Sequence, residues 1–102
     1  MNKVNFSQKA WEKMKEIPKG RISTYKEIAK AIGKPKAVRA VGNACNKNPF
    51  APKVPCHRVV QSNGKIGGFA QGIKKKRELL ESEGLKIRKG RIVNFEEKLF
   101  KF

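Results

Sequence analysis

The residues best suited to chemistry in this sequence are Cys56, His57 and Arg58, which follow one another directly. His57 is the only histidine of the chain. A thiol beside an imidazole and a guanidinium lies in an electropositive setting, which favours the nucleophilic thiolate. Pro55 restricts the backbone of Val54 and so narrows the shape of the turn. On adjacency alone, a second interpretation is about as well supported as a nucleophile: a buried structural cysteine beside an incidental histidine. Free cysteine is often buried.

The chain is strongly basic: 25 Lys and Arg against 8 Asp and Glu give a net charge of +17 over 102 residues. This length suits one domain, 1–102, with a modest core. The positive electrostatic field of such a charge attracts polyanions, so the expected partner is nucleic acid. A thermophile surface or a ribosomal-type protein would also be basic. The basic residues alternate with apolar ones along the whole chain, which favours a folded domain over a charged tail.

Two cysteines do not make a disulfide framework. Cys45, Cys56 and His57 alone cannot supply a closed four-ligand zinc site, so we expect no such metal site from these residues. The N-terminus lacks the apolar segment of a signal peptide, and no apolar run approaches transmembrane length. We therefore expect a cytoplasmic protein that does not bind membranes and keeps its thiols reduced.

Apolar periodicity predicts helices over residues 6–17, 24–33, about 35–46 and 72–83. Ser7 and Thr24 are the predicted N-caps of the first two, and Gly33 suits the position after the second. Pro35 suits the first turn of the third helix. In the fourth helix Ile73, Leu79 and Leu80 should face inward, and the basic run 74–77 at its start suggests a phosphate contact.

The second and third helices, about 24–46, predict a helix-turn-helix whose second member is the recognition helix. Small residues line that helix at Ala37, Ala40, Gly42 and Ala44. They permit close approach either to another helix or to DNA, and the sequence leaves both interpretations open. In the DNA interpretation, Arg39 is the one long side chain able to reach into the duplex.

Three X-Pro steps within 47–55 predict a rigid, extended approach to Cys56, and the active-site loop spans 48–60. A short strand near 58–60, a turn at 62–64 and a glycine-rich loop at 67–69 should follow. A small hairpin is predicted around Lys89 and Gly90, and the tail with its two final Phe should dock on the domain. The predicted fold class is mainly α: a winged-helix-like helix-turn-helix domain with a few short β-strands.

With these pieces in order, the sequence resembles the C-terminal, active-site domain of the O6-alkylguanine-DNA alkyltransferases. The resemblance covers nearly the whole chain. It rests on the segments 24–29 (TYKEIA), 39–44 (RAVGNA), 48–49 (NP), 55–59 (PCHRV), 67–69 (GGF) and 79–84 (LLESEG). It implies a DNA repair protein that flips O6-alkylguanine, such as O6-methylguanine, out of duplex DNA. The alkyl group would pass irreversibly to Cys56, so that each molecule acts once and needs no cofactor.

The resemblance also implies individual catalytic roles. Cys56 would be the acceptor, His57 the base through a bridging water, and Glu83 the group that orients the imidazole. Tyr25 would press on the phosphate at the flipped nucleotide and help to protonate the leaving guanine. Asn48 would brace the turn before the cysteine.

The implied DNA interface places the recognition helix in the minor groove, where Arg39 fills the gap left by the flipped base. The implied DNA-binding residues are Thr24, Tyr25, Lys26, Lys34, Lys36, Ala37, Arg39, Ala40, Gly42 and Ser62. The implied guanine pocket is formed by Cys45, Val59 with its backbone carbonyls, Ile66, Phe69 and Ala70.

The chain departs from the family pattern in three ways. The sequence starts where the second domain of family members begins, so we expect either a naturally minimal protein without the family's N-terminal domain or a truncated chain. Phe69 stands where many members have Tyr, and Val38 is bulkier than the usual Ala. Alkyltransferase-like proteins of similar length bind alkylated DNA without repairing it, but they replace the cysteine, so Cys56 favours transfer. A basic regulatory DNA-binding protein would not explain a Cys-His pair after a proline-rich approach. A cysteine protease would bring its histidine from far along the chain.

Overall fold

The computed structural model describes residues 5–49, 53–67 and 72–102, and these segments form a mainly helical domain. The helices are α1 (Phe6–Met14), α2 (Tyr25–Ala31), α3 (Val38–Lys47), α4 (Ile73–Ser82) and α5 (Phe95–Lys98), with a 3₁₀ turn at Cys56–Arg58. The strands are β1 (Ser23–Thr24), β2 (Val59–Val60), β3 (Ile87–Arg88) and β4 (Arg91–Ile92). The predicted mainly α class is confirmed.

Helix α1 is capped by Asn5, so the predicted cap Ser7 is wrong. The Gln8 amide donates to Asn5 Oδ1 at 2.8 Å, and the Asn5 amide donates to Gln8 Oε1 at 3.2 Å. This reciprocal capping box satisfies two amides at once, which Ser7 inside the first turn cannot do. The helix also ends at Met14 rather than at residue 17, because Pro18 disfavours helical backbone at Ile17. Ile17 is nevertheless fully buried.

Helices α2 and α3 form the predicted helix-turn-helix. The Thr24 hydroxyl accepts the Glu27 amide at 3.0 Å, which confirms that cap. Gly33 has a φ of +87°, and the Lys34 amide donates to the Ala29 carbonyl at 2.9 Å, which closes α2 with a Schellman motif. The prediction that Pro35 begins the next helix is wrong. A further turn follows the motif, and α3 starts only at Val38.

The β1–β2 pair joins the start of α2 to the turn that carries the cysteine. The two strands are parallel, with Ser23 opposite Val59 and Thr24 opposite Val60. Parallel strands need a long crossover, and α2, α3 and the loop to the cysteine supply it. The pairing therefore brings the first turn of α2 beside the Cys56–Arg58 turn. It also confirms the short strand predicted near 58–60.

The C-terminal segment docks on the other side of β1, as predicted. The Ile22 amide donates to the Lys98 carbonyl at 3.0 Å, and the Phe100 amide donates to the Ile22 carbonyl at 2.6 Å. Phe100 packs against the core, whereas Phe102 is 39% exposed. The predicted hairpin is confirmed as β3 and β4, which are antiparallel.

The interior consists of two apolar clusters on either side of the β1–β2 pair. The first lies under α1, α2 and α3 and contains Ala10, Met14, Ile17, Ile28, Ala29, Val41, Ala44, Cys45, Val54, Cys56 and Val59. The second lies under α4 and the hairpin and contains Ile22, Val60, Ile66, Leu80, Leu85, Ile87 and Ile92. Leu80 faces inward as predicted, but Ile73 is 58% exposed because it begins α4 beyond the edge of the core.

Candidate active site

The cysteine follows a tight turn built around Pro55. Pro55 has φ −81° and ψ 65°, and the Cys56 amide donates to the Val54 carbonyl at 2.8 Å, the pattern of an inverse γ-turn. The side-chain amide of Asn48 donates to the same carbonyl, also at 2.8 Å. One oxygen is thus held from two directions, which fixes the backbone immediately before the thiol.

The Cys56 thiol is almost fully buried, at 2% exposure. Burial raises its pKa, while a hydrogen bond from Asn48 and the positive charge of Lys76 act to lower it. Cys45 lies in the same core, where burial and then the charge of Cys56 raise its pKa to about 12. Burial raises the pKa of both thiols, but only at Cys56 does a hydrogen bond from the Asn48 side chain oppose that rise, which favours Cys56 as the nucleophile.

The imidazole of His57 is paired with the carboxylate of Glu83. The His57 Nε2 atom lies 3.0 Å from Glu83 Oε2. Arg58 donates two hydrogen bonds to the same carboxylate, from Nε to Oε1 at 3.0 Å and from Nη2 to Oε2 at 2.8 Å. The Nη1 atom of Arg58 donates to the Ile17 carbonyl at 2.7 Å. Burial would raise the pKa of Glu83, but these bonds outweigh it and hold that pKa below its ordinary value. The carboxylate is therefore charged and fixed.

This arrangement selects one tautomer of His57. The ionised carboxylate only accepts hydrogen bonds, so Nε2 carries the proton and Nδ1 is the basic atom. His57 is 1% exposed, and Nδ1 has no hydrogen-bond partner within the described parts of the chain. Burial lowers the pKa of His57 although Glu83 acts to raise it, so the ring is neutral near pH 7. A neutral imidazole with a free acceptor atom can take up a proton.

The structure gives Lys76 a place that the sequence did not predict: as part of the basic run 74–77 it was expected to contact phosphate, and its complete burial makes that prediction wrong. Lys76 is fully buried on α4, and its Nζ atom donates to the Val59 carbonyl at 2.7 Å. Burial lowers its pKa to about 8, while Cys45 and Cys56 act to raise it. Lys76 falls between Ile73 and Leu80 at helical spacing, on the apolar stripe of α4. That position was the available signal, which the neighbouring basic residues concealed.

Tyr25 completes the group around the thiol. It is half-buried at the first position of α2, and its hydroxyl lies 3.5 Å from Lys76 Nζ. Burial, followed by the charges of Cys45 and Cys56, raises the pKa of Tyr25, so the phenol remains protonated. A Cβ atom on Gly67 would lie 3.5 Å from the same hydroxyl, and Gly67 has a φ of +74°. Gly67, the first residue of the predicted glycine-rich loop, therefore lies close to the tyrosine.

The residues implied to contact DNA divide into exposed and structural ones. Arg39 on α3 and Lys26, Lys34, Lys36 and Ser62 are exposed, whereas Ala37, Ala40 and Gly42 are half-buried on α3 or at its start. A Cβ atom on Gly42 would meet no described residue beyond its own helix backbone within 4 Å, so packing among the described residues does not require a glycine there. Thr24 is 3% exposed and its hydroxyl is occupied by the α2 cap, which is a structural role.

The residues implied to form the guanine pocket are only partly brought together. Cys45 and Val59 lie in the first core with Cys56, and the Val59 carbonyl already accepts from Lys76. Ile66 instead packs in the second core and lines a cavity of about 270 Å³ on that side. Phe69 and Ala70 lie outside the described residues. The shape of the guanine pocket remains a prediction.

Within the described segments, no group of three or more His, Cys, Asp or Glu side chains is placed to hold a metal ion. No helix in those segments has the length and apolar character needed to span a membrane.

Comparison with known proteins identifies relatives along most of the chain. Residues 5–85 match the family model for 6-O-methylguanine DNA methyltransferase, DNA binding domain. A methylated-DNA–protein-cysteine methyltransferase of Methanosarcina acetivorans is 56% identical over 81 residues, which are 79% of this chain and 52% of that protein. The chain thus spans about half the length of such curated relatives.

Two solved structures share the fold. A Mycobacterium tuberculosis OGT in complex with DNA has a TM-score of 0.76 and 48% identity, over 80% of this chain and 51% of that one. Schizosaccharomyces pombe Atl1, in complex with damaged DNA containing O6-carboxymethylguanine, has a TM-score of 0.86 and 34% identity. The Atl1 match covers all of both chains.

Proposed function

The chain belongs to the 6-O-methylguanine DNA methyltransferase family, and on that basis we propose that it is a single-turnover DNA repair protein. Its substrate is O6-alkylguanine in duplex DNA, and the alkyl group passes irreversibly to Cys56. In this proposal the chain corresponds to the C-terminal, active-site domain of the family. No cofactor takes part, and the protein acts as a cytoplasmic monomer.

The observation that carries the proposal is the arrangement of Cys56 beside the His57–Glu83 pair. Nucleophilic catalysis needs a nucleophile, a base and a group that orients the base, and these three residues have the required chemistry. A module that only binds DNA has no use for a buried thiol with a fixed basic imidazole next to it in sequence.

In the transfer step, the Cys56 proton passes to His57 Nδ1 through a bridging water, and the thiolate sulfur attacks the alkyl carbon. A C–S bond forms as the bond between that carbon and O6 breaks. The electron pair of the broken bond remains on the guanine, which then takes up a proton. Cysteine and alkylguanine thereby become S-alkylcysteine and guanine, with no oxidant or reductant required.

Tyr25 and Lys76 are suited to neutralise the leaving guanine. The Tyr25 hydroxyl is protonated and lies 3.5 Å from the Lys76 ammonium. It can donate a hydrogen bond where negative charge develops, which is when such a donor lowers a barrier most. Lys76, with its pKa lowered to about 8, can return a proton to the phenol.

Helix α3 is suited to lie against the duplex, with Arg39 entering the stack beside the extruded base. Extrusion is needed because O6 inside the stack is out of reach of a buried thiol. The space around Gly42 supports this placement, since packing among the residues that the structure describes does not explain the glycine. The exposed Lys34 and Lys36 precede α3 and can neutralise phosphates.

A second function is damage recognition without repair, and the likeness to Atl1 over both whole chains favours it. Such a protein would hold the flipped base and would not accept its alkyl group. Cys56 with His57 and Glu83 distinguishes the two functions, because recognition alone does not need these residues to act together.

The test is the intact mass of the protein after incubation with a duplex containing one O6-methylguanine, followed by peptide mapping. We expect one added methyl group, on Cys56. Cys56→Ser should abolish the mass change and keep DNA binding, while the matched Cys45→Ser variant should still be methylated. An unchanged mass with preferential binding to the damaged duplex would support the recognition function instead. Transfer that survives in Cys56→Ser would assign the acceptor to Cys45.

A further inference from the structure

The hairpin beyond the family match joins a third segment to form a small sheet with a basic outer face. The Ile66 amide donates to the Gly90 carbonyl at 3.0 Å, and the Ile92 amide donates to the Gly64 carbonyl at 2.9 Å. Arg91 is consequently opposite Lys65 on one side and opposite Arg88 on the other. Directly paired residues project from the same face of a sheet, so these three cations form a row.

The opposite face of this sheet is buried in the second core through Ile66, Ile87 and Ile92. The alternation of strand side chains therefore directs Lys65, Arg91 and Arg88, here called the basic row, toward solvent. All three are exposed. The row is a solvent face of fixed direction and not a set of mobile charges on a tail.

The basic row has no acidic counterpart in the described parts of the chain. The ion pairs formed there involve other residues, on α1, α2 and α4 and around Glu83. Like charges directly opposite each other on neighbouring strands destabilise a sheet. Lys86 and Lys89, both exposed, add further positive charge to the same hairpin region. The repulsion within the basic row destabilises the free protein, and a bound polyanion would neutralise it.

The basic row begins next to the turn that carries Ser62, a residue that the family resemblance implies to contact DNA. The Gln61 amide donates to the Lys65 carbonyl at 2.9 Å, which closes the loop that presents Ser62. A duplex that touches Ser62 would therefore pass near Lys65, the first cation of the row. The other two cations lie on β3 and β4, beyond residue 85, where the family match ends.

We propose that the basic row binds backbone phosphates of duplex DNA beside the site contacted by α3. Strands lie about 4.8 Å apart, so the row extends over about 10 Å. Duplex DNA carries one negative charge per roughly 1.7 Å of its axis, enough to occupy three cations over that distance. This inference rests on the proposed function, because it takes DNA as the ligand of α3.

An acidic protein fits this face less well. Stable protein interfaces are centred on buried apolar or aromatic anchors surrounded by a polar rim. The outward-facing side chains of the row, Lys65, Arg88 and Arg91, are all exposed cations. A surface of point charges with no apolar centre is typical of phosphate neutralisation, which is independent of sequence and strongly dependent on salt.

The test compares three proteins on one undamaged duplex over a range of salt concentrations: the parent, the triple variant Lys65→Gln, Arg88→Gln and Arg91→Gln, and a charge-matched control. The control is Lys9→Gln, Lys19→Gln and Lys101→Gln, which removes three exposed cations elsewhere. Each lost phosphate contact lowers the slope of log K against log salt by about 0.9. We expect the slope to fall by about 2 to 3 in the row variant and by less than about 1 in the control.

Thermal unfolding provides the second readout. Removing opposed like charges should leave the melting temperature of the row variant equal to or above that of the parent. Equal salt slopes in the parent and the row variant would overturn this inference. The slopes would also be equal if the basic row bound an acidic protein and not DNA. Failure of the parent itself to bind duplex DNA would instead overturn the proposed function.

Discussion

The ammonium of Lys76 donates a hydrogen bond to the carbonyl of Val59 at 2.7 Å, three residues after Cys56. This contact holds a positive charge beside the two buried thiols, and it joins α4 to the strand that leaves the 3₁₀ turn. Burial of an ammonium is costly unless it is compensated, and here a carbonyl dipole, a phenol hydroxyl and a potential thiolate surround it. The residue is therefore better explained by chemistry at Cys56 than by stability.

Replacing Lys76 with Met should separate function from stability. The variant loses the positive charge that lowers the pKa of Cys56, so we expect at least tenfold slower alkyl transfer near pH 7. Its melting temperature should stay equal or rise, because a buried charge is removed and an apolar chain of similar length remains. The thiol pKa can be measured from the pH dependence of Cys56 alkylation by iodoacetamide. Lys75→Met, an exposed change on the same helix, is the control, and equal pH profiles for all three proteins would exclude this role.

The pH dependence of stability should identify His57 as a buried neutral imidazole. Burial lowers its pKa in the folded state, whereas in the unfolded chain it titrates near 6.5. The unfolded state then binds more protons below about pH 6.5, so stability is complete above that pH and declines as the pH falls. Glu83, whose folded pKa is also lowered, adds a loss at still lower pH.

The measurement is the free energy of unfolding in urea at steps between about pH 7 and 5. His57→Gln removes the titrating group, so its curve should be flatter in this range than that of the parent. Parallel curves for the two proteins would show that another group causes the decline.

Glu83 and Arg58 are hydrogen-bonded to each other, but their replacement should affect activity differently. Glu83→Gln removes the negative charge that orients His57 and supports its protonated form, so we expect alkyl transfer to fall about 10²-fold or more. Arg58→Gln loses hydrogen bonds to the same carboxylate but leaves the imidazole–carboxylate pair in place. Both variants should lose about 1 to 3 kcal/mol of stability. Transfer rates measured below both melting temperatures should rank parent, Arg58→Gln, then Glu83→Gln, and the reverse order of the variants would contradict the orienting role.

Local patterns predicted the elements correctly where short-range chemistry decides the structure. Thr24 as a cap, Gly33 as the end of α2 and the hairpin around Lys89 all follow from the residues in or beside the turn. The boundary errors occurred where two signals compete. Asn5 with Gln8 makes a better cap than Ser7, and the turn after Gly33 delays α3 beyond Pro35.

The candidate active site was predictable only in part. Cys56 and His57 are adjacent, so the sequence places them together, and the resemblance supplied Glu83 from 26 residues further on. Nothing in the sequence indicates that Arg58 donates hydrogen bonds to the carboxylate of Glu83. Lys76 was missed because its role depends on the register of α4 against β2. Its helical spacing from Leu80 separates it from Lys74 and Lys75 in the sequence, but only the packed structure shows that Lys76 is buried and that these two neighbours are exposed.

Gly42 should distinguish helix packing from DNA contact as the reason for small residues on α3. A Cβ atom at this helical position has no close contact with the described residues beyond its own helix backbone, so Gly42→Ala should stabilise the protein by about 0.5 to 1 kcal/mol. Gly42→Leu should also fold, because the space around the position is open, but it should weaken binding to duplex DNA tenfold or more. Melting temperature and DNA affinity are measured for both variants. Unfolding of the Leu variant would indicate helix packing, and unchanged affinity would remove Gly42 from the interface.

Arg39 should be needed for duplex substrates but not for the chemistry of the thiol. It is exposed on α3, on a different helix from the His57–Glu83 pair, so Arg39→Ala should leave the rate of Cys56 alkylation by iodoacetamide unchanged. Repair of O6-methylguanine in a duplex should slow at least tenfold, because no side chain would fill the gap left by the flipped base. Lys36→Ala, which removes one exposed charge just before α3, controls for the loss of a single phosphate contact. If Arg39→Ala and Lys36→Ala slow duplex repair equally, Arg39 contributes charge alone and does not enter the base stack.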